Sequence, residues 1–234
     1  MKRAGSLRAS ALFIWYHIYM KFCATVFLFL FSVTIVSAYN PIVVEPPQAY
    51  EIITIEGDPY VQREYLGDLE DFPDMFEVTS EVAFTLNVKV RQRATNEPIS
   101  FALITVRQND ADGGVSEIAR LNQPAAEWAE VRDDSLGMTF LESEVLEKEV
   151  TPGTYRIEIS TPDNRGDYML IVGDESQPSG FFKAIGQIYT TQRHFNYTPF
   201  HMLFSSYILY PVGIILVCVG IFYTWRNRRK LKHA

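Results

Sequence analysis

Cysteine is nearly absent from this chain of 234 residues. Cys23 and Cys218 are the only two, and both lie in apolar stretches near the ends. The polar region between them has none, so it holds no disulfide and depends on its core alone, which about 160 residues can supply. A Cys–His catalytic pair is excluded for the same reason. Histidine is also scarce, with four in all. Before the membrane approach the polar region has only His194, and His201 borders the second apolar stretch. A multi-histidine zinc site is therefore unavailable. A Ser-His-Asp triad would need a serine held beside His194, and no nucleophile-elbow pattern offers one. Glycine-rich phosphate loops are missing too. Acidic residues are absent from both ends: all 28 lie between Glu45 and Glu175.

The basic residues are distributed differently. Residues 39–200 carry 12 of the 21, which gives this region a formal net charge of −16 against −7 for the whole chain. Nucleic acid and anionic lipid are thereby excluded as partners of the region, because like charge repels them.

The two apolar stretches read as membrane segments. Residues 22–38 follow Lys21, carry no charge and end Val36-Ser37-Ala38, the tripartite pattern of a secretory signal cleaved after Ala38. Met20-Lys21 resembles a natural start, which would make 1–19 an upstream extension. The alternative is a retained signal anchor held by Lys2, Arg3 and Arg8. The second stretch, 202–225, is uncharged, and at 1.5 Å per residue it reaches about 36 Å, enough to cross a bilayer. Aromatic residues flank it at both ends, as suits the two interfaces. Arg226, Arg228, Arg229, Lys230 and Lys232 follow and predict that this end faces the cytoplasm. Whether the signal is cleaved or retained, the acidic region is expected outside, on a single-pass or two-pass chain in the cell membrane. A disulfide-free external domain points to a prokaryotic cell.

The acidic region reads as strands. Val82, Phe84, Leu86, Val88 and Val90 alternate with polar residues, 101–106 is continuously apolar and β-branched, and Tyr155, Ile157 and Ile159 alternate again. Shorter strands are expected at 116–121, 128–131, 138–141 and 145–150, with turns at 95–98 and 151–153. Nothing long and helix-periodic occurs between Tyr39 and Gly180. The expectation is mainly β: an antiparallel β-sandwich plus one C-terminal membrane helix and an N-terminal hydrophobic helix. Residues 39–80 read as an extended lead-in with the first strand or strands, with 67–74 as an acidic loop. Residues 81–175 read as the sandwich core, 176–201 as a juxtamembrane linker with a short amphipathic helix over 181–192, and 226–234 as a cytoplasmic tail.

The segments Pro152-Gly153-Thr154-Tyr155-Arg156-Ile157-Glu158-Ile159-Ser160 and Gly166-Asp167-Tyr168-Met169-Leu170-Ile171-Val172 together resemble the closing hairpin of bacterial pre-peptidase C-terminal domains. The glycines permit tight turns, and each tyrosine is expected to cap the core with its ring while its hydroxyl reaches water. The resemblance implies a small jelly-roll-like accessory module without catalysis. It carries over no binding residue, since the match lies in framework positions.

Two places could hold a ligand. Asp110 and Asp112, in Asn109-Asp110-Ala111-Asp112-Gly113-Gly114, place hard oxygens on a tight loop as a calcium site requires, although a plain Asx-rich turn has the same composition. Trp128, the acidic region's only tryptophan, is either a sugar-stacking platform or a core-edge residue. No other cofactor is indicated. Asn196-Tyr197-Thr198 fits a glycosylation sequon, relevant in a eukaryote. The reading that follows is a membrane-anchored, non-catalytic extracytoplasmic module that binds an envelope protein or a glycan, held by lipid contact along 202–225. Two alternatives remain open: an accessory subunit recognised through its helix, and a hydrolase built on two carboxylates.

Overall fold

The computed structural model describes residues 36–37, 41–44, 49, 51–108 and 114–231. Residues 1–35 of the expected leader, the calcium candidates Asp110 and Asp112, and Lys232 lie outside the described residues.

The fold is mainly β, with two mixed sheets. The strands of these two sheets are β1 (Pro41–Val43), β2 (Ile52–Thr54), β3 (Arg63–Glu70), β4 (Asp74–Ser80), β5 (Phe84–Arg93), β6 (Phe101–Gln108), β7 (Val115–Gln123), β8 (Ala129–Asp133), β9 (Met138–Glu142), β10 (Leu146–Val150), β11 (Gly153–Ser160) and β12 (Arg165–Val172). Seven of them form one sheet in the order β1-β3-β12-β5-β9-β8, with β10 also paired to β5; the other five run β2-β4-β11-β6-β7. The short edge strands pair in parallel, β1 with β3 and β2 with β4, and the other ladders of these two sheets are antiparallel. Alternation explains the burial. Phe84, Leu86, Val88 and Val90 of one sheet and Phe76, Val78, Leu103, Tyr155, Ile157 and Ile159 of the other join a single core between them.

A second core lies on the outer face of the seven-stranded sheet. There Leu66, Met138, Phe140, Met169 and Ile171 pack with Ile188 and Phe195 of the segment that follows the strands. That segment contains α1 (Phe181–His194), a 3₁₀ turn (Pro199–Phe204) and α2 (Ser206–Leu231). Within α2, Ser206–Thr224 has a mean hydropathy of 2.0 and is long and apolar enough to cross a membrane.

Several expectations need correction. The tract 67–74 is not a loop, since β3 runs through Glu70 and β4 begins at Asp74. Tyr65, Leu69, Phe76 and Val78 belong to the main core, so the packed domain begins well before residue 81. The tract looks polar because Asp68 and Glu70 point outward while Gly67 leaves space for a ring. A Cβ on Gly67 would lie 2.3 Å from the Tyr168 ring across the ladder. Val82 is exposed in the turn before β5, which starts only at Phe84. The segment 176–201 is not merely a linker, because α1 packs Ile188 against the sheet and also buries Ala184.

The resemblance to a hairpin also changes. β11 and β12 lie in different sheets, so 161–164 forms an arch between layers. Neither tyrosine reaches water. Tyr155 is buried and donates to the Thr151 carbonyl at 2.6 Å. Tyr168 is buried and donates to Asp74 Oδ2. Burial raises the Asp74 carboxyl above its usual range and, with the neighbouring carboxylate, holds the Tyr168 phenol well above its own.

Candidate functional site

The two outer faces differ in what covers them. On the seven-stranded sheet the turn 133–137 between β8 and β9 holds the helical segment. Asp133 Oδ1 accepts from the Ser135 and Leu136 amides at 3.1 and 3.0 Å, closing the turn. Four successive carbonyls then point at the helical segment. Asp134 accepts from the Ser206 amide at 2.8 Å, and Ser135 from Ser205 Oγ at 2.5 Å. Leu136 accepts from Gln192 Nε2 at 2.7 Å, and Gly137 lies 3.1 Å from His201 Nε2. Gly137 has φ +69°, and a Cβ there would meet the Ser205 amide nitrogen at 2.6 Å. The chain therefore enters α2 directly from a hydrogen-bonded seat, and Ser206 spends one of the helix's free amides on it. Arg93 adds a bond to the Phe195 carbonyl at 3.0 Å and lies over the Tyr197 ring.

A charged group is buried on the same face. Arg91 meets Glu142 at 2.5 Å and Asp133 at 3.2 Å, and Lys89 meets Glu142 at 3.1 Å. Glu64 is fully buried; its Oε1 accepts from Gln62, and its Oε2 has no partner among the described residues. Burial pushes the Glu64 carboxyl up to about 8 against the pull of Arg91. For Glu142 burial also pushes upward, but Arg91 and Lys89 outweigh it and leave the carboxyl below its usual range. Two cations thus face Asp133 and Glu142, which balance them only while Glu64 stays protonated. Farther along the face Asp68 and Asp167 stand opposite each other on β3 and β12. Burial, then Asp68, raises Asp167, and burial lowers the His194 imidazole nearby. Among the described residues no group of three metal-ligating side chains could hold an ion.

The outer face of the five-stranded sheet has no such cover among the described residues. Its outward side chains run in rows across β11, β6 and β7. Ser160, Ala102 and Asn122 form one row, and Glu158, Ile104 and Arg120 form the next. An open groove of about 470 Å³ sits at the end of the sheet beside the first row. Its lining includes Ser160, Ala102 and Asn122 of the first row together with Pro124 and Pro162. Gln123 also borders it, but its side chain, in register with the core residue Phe101, points to the opposite face, between the sheets. Its Oε1 accepts from the Glu144 amide at 3.1 Å, while the buried Nε2 has no partner among the described residues. Such an unpaired buried donor is costly unless something else meets it.

Trp128 lies beside this end of the sheet, half-buried. Its indole N–H donates to the Ile99 carbonyl at 3.0 Å, and its ring meets Phe101 edge-on at 5.8 Å. Its polar handle and one ring edge are therefore committed to the framework. Arg226, Arg228, Arg229 and Lys230 fall on the last turns of α2. Sequence reasoning missed both the seat at 133–137 and the groove. The first is made of carbonyls, and the second joins residues about sixty positions apart.

No protein-family model matches the chain, and no match is found among curated proteins. Two of the solved structures to which the chain is similar are the following. One is the Yersinia pseudotuberculosis-derived mitogen, with 17% identity over 51% of this chain and 92% of that one, at a TM-score of 0.34. The other is the pre-peptidase C-terminal domain of collagenase from Bacillus anthracis, with 15% identity over 54% of this chain and 97% of that one, at a TM-score of 0.33.

Proposed function

We propose that this chain is a membrane-anchored, non-catalytic binding module whose acidic domain lies outside the cytoplasm. In this reading the two sheets form a jelly-roll-like β-sandwich of the pre-peptidase C-terminal type, α2 spans the cell membrane, and the basic residues after it stay inside. The observation that carries the reading is the asymmetry of the two faces. One is sealed by the segment leading into α2, through four carbonyls and a second apolar core. The other is uncovered among the described residues and carries a groove. A module so built presents one surface to a partner while the opposite surface fixes its attitude to the anchor. Its ligand would be an envelope protein or a glycan.

The seat favours a second reading, an accessory subunit recognised through its helix, because a rigid join would transmit orientation between helix and domain. Replacing Ser206–Thr224 by an unrelated apolar helix of equal length separates the two. Ligand capture that persists in the chimera supports the surface module. Loss of capture, with the domain still folded, supports the accessory subunit.

A further inference from the structure

We infer that the outward side of the 3₁₀ turn, made of Phe200, Leu203 and Phe204, is a docking surface for the lipid bilayer, so that the β domain rests on the membrane instead of hanging from it; this rests on the reading that α2 spans, and adds a second contact with the same lipid. The three side chains are 80%, 53% and 59% exposed. The turn that carries them is firmly held. Met202 packs on the second core, His201 Nε2 lies 3.1 Å from the Gly137 carbonyl, and Ser205 Oγ donates to the Ser135 carbonyl at 2.5 Å. Residues i and i+3 eclipse in a 3₁₀ helix, so Phe200 and Leu203 share one side, away from Met202. Phe204 leans on the His201 ring, with centroids 5.2 Å apart.

Their position names the occupant. The apolar window of Ser206–Thr224 has none of its residues buried inside the protein. Its 19 residues reach about 28 Å at 1.5 Å each, close to the roughly 30 Å of hydrocarbon in a bilayer. Ser206 then stands at the edge of the hydrocarbon, where a headgroup layer about 5–8 Å thick begins. Phe204 and Leu203 precede it by two and three residues, at most about 7 and 11 Å of extended chain. Phe200 lies about 6 Å farther along the turn. No free linker intervenes, because the Ser206 amide is itself held by the Asp134 carbonyl at 2.8 Å. Aromatic side chains suit this level of the bilayer. Repulsion between the acidic region and lipid phosphate is also least here. Residues 176–205 contain no acid, Lys183 and Arg193 are exposed on α1, and Asp134 beside the seat is offset by Arg132 at 3.5 Å.

The test uses the full chain in phosphatidylcholine vesicles, with Cys23 and Cys218 replaced by serine and a single nitroxide-labelled cysteine in each protein. Phe200→Cys, Leu203→Cys and Phe204→Cys report on the surface. Val115→Cys, exposed on β7, is the water reference, and Ile215→Cys, exposed in the middle of the span, is the lipid reference. Molecular oxygen concentrates in the bilayer, whereas a neutral nickel chelate stays in water. The ratio of their collision rates with the label, read by electron paramagnetic resonance, therefore reports depth. All five sites are exposed, and an unchanged melting temperature shows that each variant is folded.

The inference expects the oxygen-to-nickel ratio at all three turn positions to lie above that of Val115 and below that of Ile215. It is overturned if the turn gives the Val115 ratio while Ile215 is deep; the span then stands and the docking alone falls. It is equally overturned if both reagents reach the turn poorly, because protein and not lipid then covers it. If Ile215 itself gives the Val115 ratio, the span fails and the docking falls with it.

Discussion

Glu64 offers the sharpest energetic prediction. Its carboxyl is wholly inside, on the face beneath α1, with a folded-state value of about 8 against 4.5 for the free group. A carboxyl raised on folding favours the native state most when it is protonated in both states. Its contribution is therefore fully present below pH 4.5 and is lost progressively as the pH climbs to about 8. Each unit corresponds to about 1.4 kcal/mol, so the span sets an upper bound of about 5 kcal/mol, of which about 3 kcal/mol has been lost by pH 7. Glu64→Gln keeps an acceptor for Gln62 and removes the titration. The variant should unfold at higher denaturant concentration than wild type at pH 7.5, by an amount equivalent to about 2–3 kcal/mol once local relaxation is allowed for, and the two should converge near pH 4.5. Asp74 and Asp167 are also raised and His194 is lowered, so the wild-type curve has further slope; the difference between the two proteins isolates Glu64. Parallel stability curves for wild type and Glu64→Gln across this range would refute the reasoning.

Phe195→Ala removes a fully buried ring that meets Phe140 edge-on at 5.6 Å and should cost about 3–5 kcal/mol, read as a lower melting temperature of the full chain in micelles. Gly67→Ala drives a methyl into the Tyr168 ring and should destabilise by about 1–3 kcal/mol; stability within error of wild type would remove the close-approach argument. Trp128→Ala should lower the melting temperature through loss of the Phe101 contact and the bond to Ile99, while Trp128→Phe retains part of that packing and leaves ligand binding intact if the residue is framework. A calcium site at Asp110 and Asp112 would raise the melting temperature in millimolar calcium, and Asp110→Asn would abolish the rise; a constant melting temperature removes the site.

The strands with clean alternation were legible from sequence. β5 and β11 carry period-two patterning and β6 a continuous apolar, β-branched run, and each is found within a few positions of its expected bounds. β3 was not legible. Glu64 is buried but polar, Gly67 makes room for Tyr168, and Asp68 and Glu70 face out, so hydropathy showed an acidic loop where the sheet has an internal strand paired on both sides. The sheet assignment of β11 and β12 was hidden for another reason. An arch between layers and a hairpin use similar turn residues, and only the partners across each ladder distinguish them. The seat beneath α2 left no side-chain signature because its acceptors are carbonyls. Ser205 fell inside the apolar stretch 202–225 and Gln192 at the end of the expected amphipathic helix, so neither stood out as a donor to a turn between strands.

The central claim is an acidic β domain outside the membrane and a basic end inside it. Cysteine accessibility in intact cells tests it most directly. With Cys23 and Cys218 replaced by serine, a single cysteine is placed at the exposed Val115 or at Ala234, and a membrane-impermeant maleimide is applied before and after permeabilisation. The account predicts that Val115→Cys is modified in intact cells and Ala234→Cys only after permeabilisation. The reverse pattern, or equal labelling of both in intact cells, would contradict it.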